Sequence, residues 1–266
     1  MTIRSQWNHG IKSGVSQRGT PTLVQSVYMA MREDILSGKL GPGTKLRADK
    51  LKQEYDVGAS TLREALNLLV GEALVDSEGQ KGFRVSPMSE ADFRDIVAVR
   101  KMLETQAMRE SMAHGDDEWE GQVVSAFHRL SRIEERVPEN PTGLSGQWEE
   151  GNRAFHAALI AACPSNWLHY FIGVLFHQSE RYRRVALAHS DGFKKRDVHA
   201  EHEAIYKAVL DRDAEAACLY TEQHIERTLN FLAIEGFFEQ LQAWSNDGAN
   251  NPSASRVARL NPRSMK

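Results

Sequence analysis

The chain has 266 residues, of which 41% are hydrophobic and 26% charged, with a formal net charge of −3. This length suits two modest domains, and the composition argues against wholesale disorder. No run approaches the roughly 20 apolar residues of a membrane-spanning helix, and the polar N-terminus lacks an apolar signal core. Cys163 and Cys218 have no CxxC spacing, which disfavours a disulfide framework and a thiolate zinc site. We therefore expect a cytoplasmic protein with no membrane partner.

Charge and histidine are unevenly distributed along the chain. Residues 1–88 contain 12 Lys and Arg against 9 Asp and Glu, whereas the remainder is acidic and holds nine of the ten histidines. A basic N-terminal part suits contact with nucleic acid, and an acidic, histidine-rich part suits a different task. The asymmetry favours two domains with separate functions, with chance unevenness of the surface as the alternative.

The N-terminal part has the pattern of a winged helix-turn-helix domain. Residues 1–20 are polar and lack periodicity, which is typical of a flexible arm. Three helical patterns follow, and Ser60 or Thr61 is expected to cap the third. Two strand-like runs then enclose a glycine-containing loop between residues 74 and 86. Three helices followed by a hairpin predict a winged helix-turn-helix domain over residues 21–87.

The rest of the chain predicts a second, all-α domain. Its periodicity is helical throughout, with no period-two alternation. Helices joined by short connections pack as an antiparallel bundle, so residues 88–244 are predicted to form a six-helix bundle, and 245–266 a disordered tail. The fold class is therefore mainly α. The six helices are expected at about 89–114, 116–137, 145–162, 164–189, 193–211 and 213–240.

The third helix carries residues suited to reading DNA. Leu62, Leu66 and Leu69 recur at helical spacing and are expected to face inward. The N-terminal end of a recognition helix enters the major groove, where hydroxyls bind phosphates or base edges and arginine reads guanine. An ordinary capped surface helix is the alternative. Together with basic residues near it and in the wing, the residues assigned to DNA binding are Arg47, Lys50, Gly58, Ser60, Thr61, Arg63, Lys81 and Arg84.

Several motifs together resemble the GntR family of DNA-binding regulators. Residues 40–46 (LGPGTKL) and 63–66 (REAL) are similar to its winged-helix signature. In the second domain, residues 100–104 (RKMLE) and 152–156 (NRAFH) resemble patterns of the FCD effector domain of the FadR subfamily. The resemblance covers roughly residues 20–235. It implies a transcriptional regulator whose helical bundle binds an effector.

A group of histidines in the second domain is the candidate metal site. Asn152 and His156 lie four residues apart on one predicted helix, and His202 and His224 lie on two others. By spacing alone, solvated or core histidines are the more common explanation. The resemblance implies more, because metal-binding FCD domains use the aspartate of D-x-x-F-H and three histidines. It implies Zn²⁺ or Ni²⁺ held by these four residues, with no organic cofactor.

Asn152 is the departure from that pattern. An amide oxygen carries no negative charge, so the site is expected to bind a metal ion less tightly than one with aspartate. The alternative is that the same groups bind an organic effector by hydrogen bonds without an ion.

Arginines in the bundle indicate an anionic effector. An arginine inside a helical bundle needs a carboxylate partner, which is either a ligand or a protein group such as Glu104. Resemblance to repressors of glutarate and γ-aminobutyrate catabolism in this subfamily implies a C4–C6 dicarboxylic acid. The residues assigned to effector binding are Arg100, Arg181, Arg183 and His199.

These features predict a homodimeric repressor that a small carboxylic or dicarboxylic acid releases from a palindromic operator in double-stranded DNA. The main alternative is a metal-dependent enzyme built on the histidines. It requires an open coordination position and a general base, and no nucleophile–base motif such as G-x-S-x-G is present. A purely architectural DNA-binding protein would leave the histidines and arginines of the bundle unexplained.

Overall fold

The computed structural model describes residues 21–187, 196–234, 236–239 and 241. The described residues divide into two compact units, the first containing residues 21–90 and the second residues 91–187 and 196–234. Residues 236–239 and 241, predicted to belong to the bundle domain, are grouped with residues 21–90. The predicted flexible arm, the disordered tail and the break predicted between the helices 164–189 and 193–211 lie outside the described residues. No helix in the described part of the chain is long and apolar enough to cross a membrane.

The first unit contains three helices and a small sheet, as predicted for a winged helix-turn-helix. Its sheet is antiparallel, and the central strand β3 (Phe83–Val85) lies between β1 (Lys45–Leu46) and β2 (Val75–Ser77). Thr22 caps the first helix, because its hydroxyl accepts from Gln25 N at 3.2 Å and Gln25 Oε1 accepts from Thr22 N at 2.9 Å. The elements are α1 (Leu23–Leu36), β1 (Lys45–Leu46), α2 (Ala48–Glu54), α3 (Ala59–Gly71), β2 (Val75–Ser77) and β3 (Phe83–Val85).

Two details of this unit differ from the sequence prediction. The N-cap of α3 is Gly58 rather than Ser60 or Thr61, because Leu62 N already donates to Gly58 O at 3.1 Å. Both hydroxyl residues therefore lie inside the first turn. The second difference is β1, a two-residue strand that the prediction did not contain.

A single apolar core joins α1 to α3. The buried side chains recur at helical spacing on both helices, including Val27 and Met31 of α1 and Leu62, Leu66 and Leu69 of α3. Burial of these aliphatic groups supplies the main stabilisation, on the order of 2 kcal/mol each.

The second unit is a bundle of six long helices within the described residues, as predicted. The bounds are α4 (Glu90–His114), α5 (Asp117–Glu134), α6 (Pro141–Leu159), α7 (Asn166–Leu187), α8 (Val198–Leu210) and α9 (Ala214–Ile234). Helix α5 packs against α6 and α8. Helix α6 also packs against α7, and α8 against α9.

Capping side chains explain where two of these helices depart from their predicted starts. Helix α6 begins at Pro141 rather than 145, because Asn140 Oδ1 accepts from Gly143 N at 3.1 Å and proline suits the first helical position. Helix α8 begins at Val198 rather than 193, because the Asp197 carboxylate accepts from Ala200 N at 2.9 Å.

Candidate functional sites

The N-terminal end of α3 is open to solvent. Gly58 and Ser60 are exposed, Thr61 is half-buried, and no side chain caps the first turn. The first backbone N–H groups of the helix are therefore available to an anion such as a DNA phosphate. Arg63 is exposed on the next part of the same face. The four predicted residues of this helix thus lie together, as a recognition helix requires.

The basic residues predicted to contact DNA fall into two groups. Arg47, Lys50 and Arg63 are exposed and form no hydrogen bond or ion pair with any described residue, so their charges are available to a nucleic acid. Arg84 differs, because it donates from Nε to Glu78 Oε1 at 2.9 Å and from Nη1 to Gly43 O at 2.5 Å. It therefore stabilises the wing from within. Lys81, at the wing tip, is exposed.

The structure brings the three predicted histidines of the bundle together. His156, His202 and His224 are buried, and one ring nitrogen of each lies within 4.8 Å of the others. Burial, followed by the neighbouring histidines and arginines, lowers the pKa of His156 and of His224 well below the ordinary value. Both imidazoles are therefore neutral at pH 7, which is the state that binds metal ions.

Two buried carboxylates, which the sequence analysis missed, contact these histidines. Glu134 Oε1 lies 2.7 Å from His202 Nδ1, and Glu201 Oε2 lies 2.8 Å from His224 Nδ1. Although burial raises the pKa of Glu134, hydrogen bonds from His202, His199 and Trp148 lower it overall. The Glu134 carboxylate is therefore ionised and accepts a hydrogen bond from His202 Nδ1.

A small cavity of about 30 Å³ adjoins the histidines. This volume holds one or two water molecules or an ion, and is far below the roughly 300–1,000 Å³ of ordinary ligand pockets. Predicted metal and effector residues line it together with several that were not predicted, notably Arg196. The lining residues are Arg100, Trp148, Asn152, His156, Phe176, Arg183, Arg196, Val198, His224, Ile225 and Thr228.

The cavity arginines are already paired with protein carboxylates, which was the alternative raised for Arg100. Arg100 Nε donates to Glu104 Oε1 at 2.6 Å. Arg183 binds Glu149 through two bonds of 2.9 and 2.7 Å. Although burial acts to lower the pKa of Arg183, the Glu149 carboxylate raises it overall, so this guanidinium is charged.

Arg196 forms the third pair of the cavity. It donates from Nε to Glu201 Oε1 at 2.8 Å and from Nη1 to Thr228 Oγ1 at 2.9 Å. Each arginine at the cavity thus has its charge compensated before any ligand binds.

Two residues assigned to the effector do not line this cavity. Arg181 is buried, and its Nη1 lies 3.5 Å from Gln178 Oε1. It is two residues from Arg183 on α7, so the two side chains point about 200° apart around the helix. His199 has a 45% exposed side chain and contacts Glu134 Oε2 at 2.9 Å.

The donor set fits a divalent cation. Asn152 Oδ1, His156 Nε2 and His202 Nε2 are buried and have no hydrogen-bond partner in the described part of the protein. Leaving such a group unsatisfied costs roughly 1–3 kcal/mol, so three in one region point to a missing electropositive partner. Neutral imidazoles with one amide oxygen are suitable ligands for Zn²⁺ or Ni²⁺.

Both parts of the chain are similar to known transcriptional regulators. The family "Bacterial regulatory proteins, gntR family" matches residues 23–85, and the "FCD domain" matches residues 95–227. The uncharacterized HTH-type transcriptional regulator BphR of Paraburkholderia xenovorans (strain LB400) is 44% identical over 209 residues, 79% of this chain and 84% of that protein. The HTH-type transcriptional repressor GlaR of Escherichia coli (strain K12) is 35% identical over 200 residues, 74% of this chain and 90% of that protein.

Solved structures share the fold. A putative GntR transcriptional regulator from Rhodococcus sp. RHA1 matches with a TM-score of 0.62 at 20% identity, over 80% of this chain and 99% of that one. E. coli McbR/YncC matches with a TM-score of 0.63 at 17% identity, over 81% of this chain and 99% of that one. Both confirm an N-terminal winged helix-turn-helix followed by a helical domain.

Proposed function

The chain belongs to the GntR family of transcriptional regulators and carries an FCD domain, and from this we propose that it is a repressor released from a palindromic operator by a small carboxylic or dicarboxylic acid. Its relatives are transcriptional regulators, so it is not an enzyme. GlaR is a transcriptional repressor, which supports the proposed sign of the response. The observation that carries the proposal is the cavity that joins buried histidines to arginines.

We assign DNA contact to the open end of α3 and the basic residues near it. Arg63 would bind base edges or phosphates, and Arg47 and Lys50 the phosphate backbone, because all three are exposed and have no partner among the described residues. One winged helix buries too little surface for tight, specific binding. A homodimer on a two-fold symmetric operator therefore follows. A monomeric mass by light scattering at micromolar concentration would contradict it.

We assign the metal ion to Asn152, His156, His202 and His224. When bound, the ion would supply a Lewis-acidic positive charge at the cavity. The three arginine–glutamate pairs are balanced as pairs, and the Glu134 carboxylate beside His202 offsets one of the two charges of a divalent ion. A carboxylate of the effector can offset the second. Substitution of His156, His202 or His224 by alanine is expected to lower the Zn²⁺ content measured by elemental analysis and to leave operator binding intact.

Nitrogen atoms of two arginines can receive the effector's other oxygen atoms. Among the described residues, neither terminal nitrogen of Arg100 and not Nη1 of Arg183 forms a hydrogen bond. Both guanidinium groups also lie within 5 Å of the Phe176 ring centre, at 4.9 and 4.8 Å, so both contact the same aromatic ring. A carboxylate accepting from both would complete their hydrogen bonding.

The small cavity gives the effector a means of acting at a distance. An acid of four to six carbons does not fit in about 30 Å³, so its binding must move the lining side chains and, through them, the helices that carry them. Tyr182, next to Arg183 on α7, is fully buried. Its hydroxyl donates to Asp92 Oδ2 at 2.5 Å, and its ring stacks on Phe93 with centroids 4.3 Å apart.

These contacts lie at the beginning of α4, which starts at Glu90, shortly after the wing strand β3 ends at Val85. A movement of α7 would therefore change the direction of the chain that leads to the DNA-binding unit, and with it the spacing of two recognition helices on a palindromic site.

Calorimetric titration of glutarate, and of related C4–C6 acids, into free protein and into the protein–operator complex tests this mechanism. By linkage, operator DNA must weaken acid binding by the same factor by which the acid weakens operator binding, about 5–150-fold. Equal affinities would contradict the allosteric mechanism, and tighter binding to the complex would reverse the sign to activation.

A further inference from the structure

We propose that Glu134 and Glu201 are positioning residues for the metal site, which fix the ring orientation and tautomer of His202 and His224 so that Nε2 of each faces the ion. This inference rests on the metal assignment above. It adds two carboxylates, distant in sequence from their histidines and outside the set of ligands, whose contribution is made through the imidazoles.

The geometry at His202 supports the positioning role of Glu134. His202 is fully buried, its Nδ1 lies 2.7 Å from Glu134 Oε1, and its Nε2 has no partner among the described residues. An ionised carboxylate can only accept, so it requires the proton on Nδ1, and in a neutral ring the lone pair then lies on Nε2. Neutral imidazole can bind a metal ion only through the nitrogen without a proton. The carboxylate thus selects the tautomer that the metal needs.

Glu134 is itself held in place. Trp148 Nε1 donates to its Oε1 at 3.3 Å, and His199 Nδ1 lies 2.9 Å from its Oε2. A carboxylate with three neighbours of this kind has little freedom to rotate. The position of His199 is thereby explained, since this residue supports Glu134 rather than facing the cavity.

The geometry at His224 supports the positioning role of Glu201. Its Nδ1 is 2.8 Å from Glu201 Oε2, and Arg196 binds the same carboxylate through Nε and Nη2. Arg196 Nη2 also donates to the backbone oxygen of His224 at 2.9 Å. One arginine therefore fixes both the carboxylate and the helix turn that bears the histidine. Among the described residues, His156 has no such partner, because its Nδ1 is 3.9 Å from Glu104 Oε2, beyond hydrogen-bond distance.

The test compares Zn²⁺ and Ni²⁺ affinity of the full-length protein with that of Glu134→Gln and Glu201→Gln, by calorimetry after metal removal. Glutamine can donate its amide to Nδ1 and so allows the other tautomer. Loss of such an outer carboxylate typically weakens metal binding by about 10–100-fold, and we expect a loss in this range for each variant. Glu203→Gln, on the same helix as Glu201 and paired with Lys207 at 3.0 Å, is the matched control. We expect its affinity to stay within twofold of wild type.

Nitrogen NMR of the metal-free wild-type protein gives a readout that needs no variant. The expected result is a proton on Nδ1 and none on Nε2 for His202 and His224. A proton on Nε2 of both rings would overturn the inference. In Glu134→Gln, the His202 signals should move toward the other tautomer, whereas a purely structural role would lower only the melting temperature.

Failure of the metal assignment and failure of the positioning role give different experimental results. If the wild-type protein binds neither metal, the metal assignment fails and this inference falls with it. If the wild type binds metal and both glutamine variants bind it as tightly, only the positioning role is overturned. The two variants lie at separate pairs, so misfolding of one leaves the other, together with the wild-type tautomers, as a decisive result.

Discussion

Replacement of Asn152 by aspartate should have opposite effects in the absence and presence of metal. Asn152 is 2% exposed and its Oδ1 has no partner among the described residues. A carboxylate buried there without metal is costly. The upper limit is about 4 kcal/mol, the free energy needed to protonate a carboxyl of ordinary pKa at pH 7. The guanidinium groups of Arg100 and Arg183 line the same cavity and offset part of it. We expect a loss of about 1–3 kcal/mol.

With metal, the added charge becomes favourable. The variant places an anionic oxygen where a neutral amide oxygen stands, and we expect Zn²⁺ to bind at least tenfold more tightly, a gain of about 1.4 kcal/mol. For a protein of this size, 1 kcal/mol corresponds to roughly 2–4 °C in melting temperature. Addition of Zn²⁺ should therefore raise the melting temperature of the variant by about 3–6 °C more than it raises that of the wild type.

Scanning calorimetry with EDTA and with excess Zn²⁺, together with isothermal titration, measures both effects. Asn230→Asp, an exposed position on α9, is the charge-matched control and should change neither. An unchanged Zn²⁺ affinity in Asn152→Asp would refute the placement of Asn152 among the ligands, and a metal-free variant as stable as the wild type would refute the cost of burying a carboxylate there.

Three further outcomes are expected. Arg63→Ala should lower operator affinity by about 5–150-fold in fluorescence anisotropy without changing the circular dichroism spectrum, and retention of wild-type affinity would remove Arg63 from the interface. Tyr182→Phe keeps the stacked ring but loses the hydroxyl that donates to Asp92. It should bind the acid within twofold of wild type but respond to it with a smaller change in operator affinity; an unaltered response would exclude this connection. In metal-free protein, the lowered pKa values of His156 and His224 mean that the unfolded state binds more protons below about pH 6.5. Stability should therefore fall as pH falls, by at most about 2.7 kcal/mol per pH unit in urea titrations, and a flat profile would contradict neutral burial.

The helices were predictable because they depend on local repetition, whereas the grouping of the three histidines was predicted from the family resemblance. Buried faces recur every three or four residues, so positions such as Leu62 and Leu66 indicate α3 directly. The strand β1 has only two residues, too few to show any period. Its pairing with β3 depends on residues nearly forty positions away, Lys45 with Arg84.

The carboxylates of the cavity were not predictable for a related reason. Glu134 lies 68 residues before His202, on a different helix, and their contact depends on how α5 and α8 pack. Likewise, the sequence cannot distinguish Arg181 from Arg183, because the rotation of α7 within the bundle decides which one reaches the cavity. Family resemblance indicated the candidate ligands but carried no information about these partners.

The pairing of β1 with β3 restricts where regulation can act. Gly43 N donates to Val85 O at 3.0 Å, Val85 N donates to Thr44 O at 2.9 Å, and Arg84 binds Gly43 O, so the loop before α2 and the wing share one continuous ladder. The wing and the helix-turn-helix therefore form a single rigid DNA-binding unit. An effector that releases the protein from DNA would therefore change little in how one such unit recognises its half-site. Operators with unchanged half-sites but altered centre-to-centre spacing should accordingly be the sequences that distinguish the induced from the uninduced regulator.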